Sequence, residues 1–113
     1  MVATFKVERK ESSIENAFIK RCKTKLGVPV KIRKMNGQGS MSWPDRMILS
    51  SNGFVAFIEF KRPGKEPTES QRNMMGELRN LGFLVAWFDN DQYAFEWLKK
   101  EIDKHLNRKI YKR

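Results

Sequence analysis

The sequence predicts a small α/β fold in which helices cover a mixed β-sheet, and three observations lead to this prediction. Apolar residues recur every four positions at Ile14, Phe18, Cys22 and Leu26, which is the spacing of a helix with one buried face. Two strand patterns flank residues 51–53, whose sequence Ser-Asn-Gly is typical of a hairpin turn. A helix pattern then separates two apolar strand patterns, and such a unit takes a right-handed crossover if its strands are parallel.

The predicted elements follow the order α-β-β-β-α-β-α. They are a helix over residues 12–26, strands over 28–35, 46–50 and 54–60, a helix over 68–81, a strand over 83–89 and a helix over 91–108. Gly27 and Gly82 follow the first two helices, and glycine suits the end of a helix. The strand over 83–89 is apolar throughout, so we expect it at the centre of the sheet and parallel to a neighbour.

The later helices carry apolar stripes, and polar segments fill the rest of the chain. The stripes consist of Met74, Met75, Leu78 and Leu81 in the second helix and of Phe95, Leu98, Ile102 and Leu106 in the third. The polar segments are an N-terminal arm or short edge element over 1–11, loops over 36–43 and 62–67, and a basic tail over 107–113. We expect residues 1–113 to form one domain with one modest core.

The composition points to a polyanionic partner and narrows the chemistry. Lysine and arginine total 23 against 13 acidic residues, which gives a formal net charge of +10. DNA or RNA is a better partner than a membrane, because no segment is long and apolar enough to span one. The single cysteine and single histidine exclude an internal disulfide and a Cys/His zinc cluster. The N-terminus has no apolar signal core, so we expect a cytoplasmic protein. With one histidine and one cysteine, a chain that cuts phosphodiesters would have to use carboxylates, a hard metal and lysine.

Two carboxylates and a lysine mark the ends of the hairpin strands. Asp45 precedes the first strand, while Glu59 and Lys61 share one face at the end of the second. A three-residue loop at 51–53 places Asp45 opposite Glu59, whereas a two-residue loop turns it away. Opposed side chains have Cβ atoms roughly 4.5–5.5 Å apart, and two carboxylates this close repel unless a cation lies between them. We therefore expect a hard divalent cation here, as metal-assisted phosphodiester hydrolysis requires.

Simpler interpretations of the same residues stay open. Asp45 can be a turn residue, with the charges that end the second hairpin strand exposed to solvent. The segments 12–15 and 68–71 both match a capping box, in which Glu15 and Gln71 only stabilise the start of a helix.

The arrangement of these residues resembles the PD-(D/E)xK nuclease superfamily. The residues that carry the resemblance are Glu15 on the first helix, Pro44-Asp45, Glu59-Phe60-Lys61 and Gln71 on the next helix. Within that superfamily, the chain is similar to the virus-type replication-repair nuclease (VRR-Nuc) domain of small standalone phage proteins, from about Ser12 to Asp89. The resemblance implies a restriction-endonuclease-like core with the predicted element order.

The resemblance also implies a role for each of these residues. A divalent ion, Mg²⁺ or Mn²⁺, is implied between the carboxylates. Its implied ligands are Asp45, Glu59, the backbone carbonyl of Phe60 and, directly or through water, Glu15. Lys61 would orient the attacking water and stabilise the developing negative charge. Gln71 would position Lys61 or the water.

Basic residues around the acids are candidates for contacts with the DNA backbone. They are Lys31, Arg33, Lys34, Arg46, Arg62 and Lys65. Such contacts position DNA without reading its sequence, and the alternative is a solvated basic surface. Trp43 can stack on an unpaired base or belong to the core.

The sequence therefore predicts a metal-dependent, structure-selective DNA endonuclease that resolves four-way (Holliday) junctions or related branched DNA. Standalone relatives resemble junction resolvases in being dimeric, so we expect a homodimer, with methionines and Phe5 or Phe95 at its interface. If a phage encodes the chain, its compartment is the host cytoplasm. The alternatives are a non-catalytic nucleic-acid-binding module and a flap-cutting or nicking nuclease of the same fold.

Overall fold

The computed structural model of the protein describes residues 9–35 and 42–111. Its elements are α1 (Glu11–Lys25), β1 (Val30–Lys34), β2 (Arg46–Ser50), a 3₁₀ turn (Ser51–Gly53), β3 (Phe54–Phe60), α2 (Glu69–Asn80), β4 (Leu84–Phe88) and α3 (Asp91–Tyr111). This order and the mixed α/β class confirm the predicted fold. The arm over residues 1–8 with Phe5, most of the predicted loop over 36–43, and the last two residues of the predicted tail lie outside the described residues.

The sheet has the strand order β1-β2-β3-β4 in the part of the chain that the structure describes. The first two pairings are antiparallel and the pairing of β3 with β4 is parallel. The parallel orientation of β4 was predicted correctly, but its central position is wrong, because β4 is at an edge of this sheet. It is apolar because both of its faces are covered. Leu84 packs against the cluster of α1 and α3, and Val85 against the cluster of α2.

The hairpin between β2 and β3 has the predicted three-residue loop. Ser50 pairs with Phe54, and the register continues to Arg46 opposite Ile58. Asn52 and Gly53 adopt positive φ angles of 59° and 74°, which asparagine and glycine tolerate better than other residues. The turn residues thus fix the register that determines which side chains meet at the far end of the hairpin.

Each face of the sheet carries its own apolar cluster. On the first face, α1 and α3 cover the sheet through residues such as Phe18, Leu98 and Ile102, all of which are buried. On the second face, α2 packs Met75 and Leu78 against Phe57 and Val85. Along β3 the even-numbered residues therefore point to the first face and the odd-numbered residues, Glu59 included, to the second.

Two of the helix boundaries that differ from the prediction change an interpretation. Helix α1 begins at Glu11, since the amides of Ser13 and Ile14 both donate to the carbonyl of Lys10. This earlier start makes Lys10 the N-cap, so the predicted capping box over 12–15 does not form. Helix α3 continues to Tyr111, so the predicted basic tail over 107–113 begins as helix.

Asp91, at the start of α3, ties three parts of the chain together. It is buried, and its two carboxylate oxygens accept hydrogen bonds of 2.6 Å from Arg9 and Arg21. Burial raises the pKa of Asp91, but the hydrogen bonds from the two arginines outweigh it and leave the pKa below its ordinary value. The start of α3 is thereby fixed to Arg21 of α1 and to Arg9, which lies two residues before α1.

Helices of the described residues are either too short or too polar to cross a membrane.

Candidate active site

Asp45 and Glu59 meet at the end of the hairpin, as the three-residue loop predicts. The backbone amide of Asp45 donates to Oε1 of Glu59 at 3.2 Å, and the amide of Phe60 donates to Oδ2 of Asp45 at 2.7 Å. The amide of Met35 donates to the carbonyl of Asp45 at 2.8 Å, which continues the pairing of β1 with β2. Strand pairing on both sides therefore holds Asp45 in place.

Glu59 is almost completely buried, with 2% of its surface exposed. Burial, together with the hydrogen bond and negative charge of Asp45, raises the pKa of Glu59 to about 8. The positive charge of Lys61 and the amide of Asp45 oppose this rise and are already outweighed in that value. A proton shared by the two carboxyl groups relieves their repulsion, and a cation at the same position would do so as well. The interpretation of Glu59 as a solvated strand end is therefore wrong.

Lys61 lies beside the acids on the second face of the sheet. Its Nζ atom is 3.6 Å from Oε2 of Glu59, and 12% of its side chain is exposed. The amide of Lys61 donates to the carbonyl of Phe88 at 2.9 Å, which extends the parallel pairing of β3 with β4. Sheet geometry thus brings together three of the predicted site residues, Asp45, Glu59 and Lys61.

Glu15 lies on the other side of the sheet, and its contact is Arg46, which the sequence did not suggest as its partner. Its carboxylate accepts a short hydrogen bond from Nε of Arg46, and both side chains are largely buried. Arg46 shares the first face with Ile48, whereas Glu59 points to the second. The side chain of Arg46, predicted to contact DNA, is thus engaged within the protein. No local sequence signal could have revealed a pair formed between a helix and a distant strand.

Gln71 forms the capping box that was its alternative interpretation. Its Oε1 accepts from the amide of Thr68 at 2.9 Å, and its own amide donates to Oγ1 of Thr68 at 3.2 Å. Its amide nitrogen Nε2 has no hydrogen-bond partner among the described residues. Thr68, its partner in the capping box, lines the same cleft as Lys61.

Trp43 belongs to the apolar cluster of the second face. Its ring meets the ring of Phe57 edge-on, with centroids 6.1 Å apart, and its side chain is half-buried. Next to it, the hydroxyl of Ser42 bonds to the hydroxyl of Ser70, which connects this segment to the start of α2. These contacts favour the core interpretation of Trp43 over base stacking.

The remaining predicted DNA contacts are exposed but lie on different surfaces. Lys31 and Arg33 point to the second face of β1, and Lys34 points to the first. Arg62 and Lys65 line a cleft that Lys61 also borders. The sequence did not single out Arg9 and Lys10, which line the same cleft, because only the fold brings the start of α1 beside the end of β3.

The donor set fits a hard divalent cation. Within residues 9–35 and 42–111, no group of three or more His, Cys, Asp or Glu side chains surrounds a common point. Mg²⁺ does not need one, because proteins usually hold it by one or two carboxylates, with water and substrate phosphate as the other ligands. Asp45 and Glu59 would supply the two carboxylates, and the backbone of Phe60 a carbonyl. Among the described residues, Glu15 does not form a group with these two acids, and its carboxylate is bonded to Arg46.

Comparisons with known proteins agree with the fold. No family model matches the chain. The protein named "Putative nuclease p44" from Acyrthosiphon pisum secondary endosymbiont phage 1 is 31% identical over 85 residues, which cover 75% of this chain and 88% of that protein. A solved structure described as "VRR_NUC domain" has the same fold, with a TM-score of 0.64 and 22% identity over 82% of this chain and 94% of that one.

Proposed function

The chain belongs to the virus-type replication-repair nuclease (VRR-Nuc) family in its phage form, and from this premise we propose that it is a metal-dependent endonuclease acting on branched DNA. The observation that carries the proposal is the contact of the buried Glu59 with the half-buried Asp45, with Lys61 beside them. A buried carboxylate in contact with a second one destabilises a fold unless a proton or cation compensates the pair. Binding a catalytic cation explains why they are there.

Asp45, Glu59 and the backbone carbonyl of Phe60 would hold Mg²⁺ or Mn²⁺. When bound, such an ion activates water and offsets negative charge on the phosphate that is attacked. Glu15 would have to leave Arg46 to join these ligands. We therefore assign Glu15 the role of holding Arg46, and with it the adjacent Asp45, in position.

Lys61 is the side chain that can act on the phosphate itself. Its ammonium group is held next to Glu59 and borders the open cleft, so a phosphate oxygen in that cleft comes within its reach. There it would stabilise the negative charge that develops during attack and orient the water. The leaving 3′ oxygen would take its proton from solvent, since no described acidic side chain other than Asp45 and Glu59 is at the site. The amide nitrogen of Gln71 would support Lys61 or the water from the start of α2.

The substrate we propose is a four-way junction or a related branched DNA. The net charge of +10 supports a nucleic-acid partner. Cutting two strands of a junction symmetrically requires two sites related by a two-fold axis, and C₂ dimers are the commonest oligomers. A monomer that cuts a flap or nicks one strand is the other form this activity can take.

The net charge alone also favours a second function, that of a nucleic-acid-binding module without catalysis. Incubating the protein with a labelled four-way junction in Mg²⁺, in Mn²⁺ and in EDTA separates the two functions. We expect cleavage in either metal and none in EDTA. DNA that is retarded in a gel but intact under all three conditions would establish the binding module instead.

A further inference from the structure

A cleft lies beside the acid pair, between the start of α1 and the segment that follows β3. It has a volume of about 520 Å³ and is lined mainly by Arg9, Lys10, Lys61, Arg62, Lys65 and Thr68. Lys61 belongs both to this cleft and to the acid site. A strand of DNA that passes the acids therefore meets the cleft next.

The cleft is positively charged, and part of that charge is uncompensated. Its five cations face only two carboxylates, Glu11 and Glu66, and Glu66 is paired with Arg72 outside the cleft. Arg9 is held by Asp91, and Lys61 by Glu59. Among the described residues, Lys10, Arg62 and Lys65 form no salt bridge, and all three are exposed. Exposed cations without carboxylate partners are available to phosphate groups.

The surface on the other side of Thr68 has the opposite charge. A second groove there is lined by Ser42, Glu69, Asn73 and Glu77 among others, and none of its lining residues is a cation. Thr68, the N-cap of α2, lines both grooves. A phosphate backbone leaving the acid pair is thus attracted to one side of Thr68 and repelled from the other.

We propose that the cleft binds the sugar–phosphate backbone of an unpaired DNA strand as it leaves the acid pair past Lys61. This inference rests on the proposed nuclease function and adds the strand path. The volume of the cleft is that of a pocket for one small ligand, roughly 300–1,000 Å³, rather than that of a duplex. Lys10, Arg62 and Lys65 contact the phosphates of that strand, and the groove on the other side of Thr68 stays free of DNA.

The test is the salt dependence of DNA binding without a divalent ion. The probes are a fluorescently labelled single strand and the same strand annealed to its complement. The variant is Lys10→Gln with Lys65→Gln, and the matched control is Lys20→Gln with Lys23→Gln. The control makes the same charge change on exposed lysines of α1, about 15–20 Å along the helix from Lys10 at ~1.5 Å per residue.

We expect the variant to lower the slope of log affinity against log salt by about 0.7 per lysine with the single strand. The control should keep the wild-type slope, and the duplex should show a smaller loss than the single strand. If the variant and the control have the same slope, the cleft does not bind DNA. If the slope falls as much with the duplex as with the single strand, or more, the cleft does not select an unpaired strand. Absence of cleavage in Mg²⁺ with the expected slopes would instead reject the nuclease function and leave the cleft in place.

Discussion

At the scale of single residues, the main feature of the site is the buried carboxyl group of Glu59 and the charges around it. Asp45 and Glu59 contact each other at the ends of two strands, where an apolar pair would pack at lower cost. Lys61 supplies one compensating charge, but the pKa of Glu59 is still raised to about 8 because burial and Asp45 dominate. Cys22 shows the contrast, because burial raises the pKa of its thiol to about 12 and no described residue is a partner that would give it a chemical role.

The pair of Glu15 and Arg46 tests whether Glu15 holds the site or binds the metal. We expect Glu15→Gln and Arg46→Gln each to lower the free energy of unfolding by about 3 kcal/mol, as for other largely buried ion pairs. The double variant should lose no more than either single one, since both remove the same interaction. Two quantities are measured in each variant, cleavage per folded molecule and the thermal shift caused by Mg²⁺. Both should fall equally in all three variants.

A different result would assign Glu15 to the metal. In that case Glu15→Gln would abolish both cleavage and the shift caused by Mg²⁺, whereas Arg46→Gln would retain them.

At the scale of helices and strands, the sequence predicted best the elements whose ends are set by a local turn. The turn Ser51–Gly53 predicted both hairpin strands to the residue and, through their register, the meeting of Asp45 with Glu59. The start of α1 was missed because the carbonyl of Lys10, rather than the hydroxyl of Ser12, accepts its first amides. The edge position of β4 was missed because an apolar strand only indicates that both faces are covered. The partner of Glu15 lies in a distant element, so no local pattern contains it.

The capping box of α2 allows the two possible roles of Gln71 to be separated. We expect Thr68→Ala and Gln71→Ala each to cost about 1 kcal/mol of stability, because each removes one half of the box. Gln71→Ala should also lower cleavage per folded molecule, by at least tenfold and by more than Thr68→Ala does, since its amide nitrogen would support Lys61 or the water. Chemical denaturation and single-turnover cleavage measure the two effects. Equal turnover in both variants would limit Gln71 to capping.

The link from α1 to α3 through Asp91 should make the free energy of unfolding depend on pH. Because the pKa of folded Asp91 is lowered, its ionised form stabilises the fold fully above the unfolded pKa, ~3.9, and this contribution disappears as the pH falls through the folded value. Near neutral pH, Asp91→Asn should cost about 2 kcal/mol, less than the ~3–5 kcal/mol of a fully buried pair, because both arginines are about a third exposed.

Urea denaturation at several pH values measures this contribution. The difference between wild type and Asp91→Asn should be constant above about pH 5 and should narrow below ~3.9. A difference that grows as the pH falls would show that the arginines do not lower the pKa of Asp91.

At the scale of the whole molecule, the charge is distributed in a way that suits a nuclease. The net charge of +10 attracts a polyanion to the molecule as a whole, while Asp45 and the buried Glu59 place two carboxyl groups at one end of the sheet. The cleft and the acidic groove on either side of Thr68 then give a strand one direction to leave. In the proposed nuclease, attraction and chemistry would be carried by different residues apart from Lys61, which takes part in both, and variants should separate them.

The oligomeric state would decide which branched substrate the proposed nuclease cuts. We expect a homodimer, because symmetric cleavage of a four-way junction needs two sites. Light scattering with and without junction DNA should give twice the monomer mass of 13.3 kDa. A monomer under both conditions would reject junction resolution and favour flap cutting or nicking.

The most direct test of the central claim is to measure cleavage and binding together in variants of the acid site. A labelled four-way junction in Mg²⁺ is incubated with wild type or with one of three variants, Asp45→Ala, Glu59→Ala and Lys61→Ala. Binding to the same junction is followed in parallel without the metal. We predict that each variant loses nearly all cleavage and still binds the junction, with the two acid variants binding at least as tightly as wild type because they lose negative charge near phosphate. Wild-type cleavage by folded Asp45→Ala would contradict the claim that these residues are the catalytic centre.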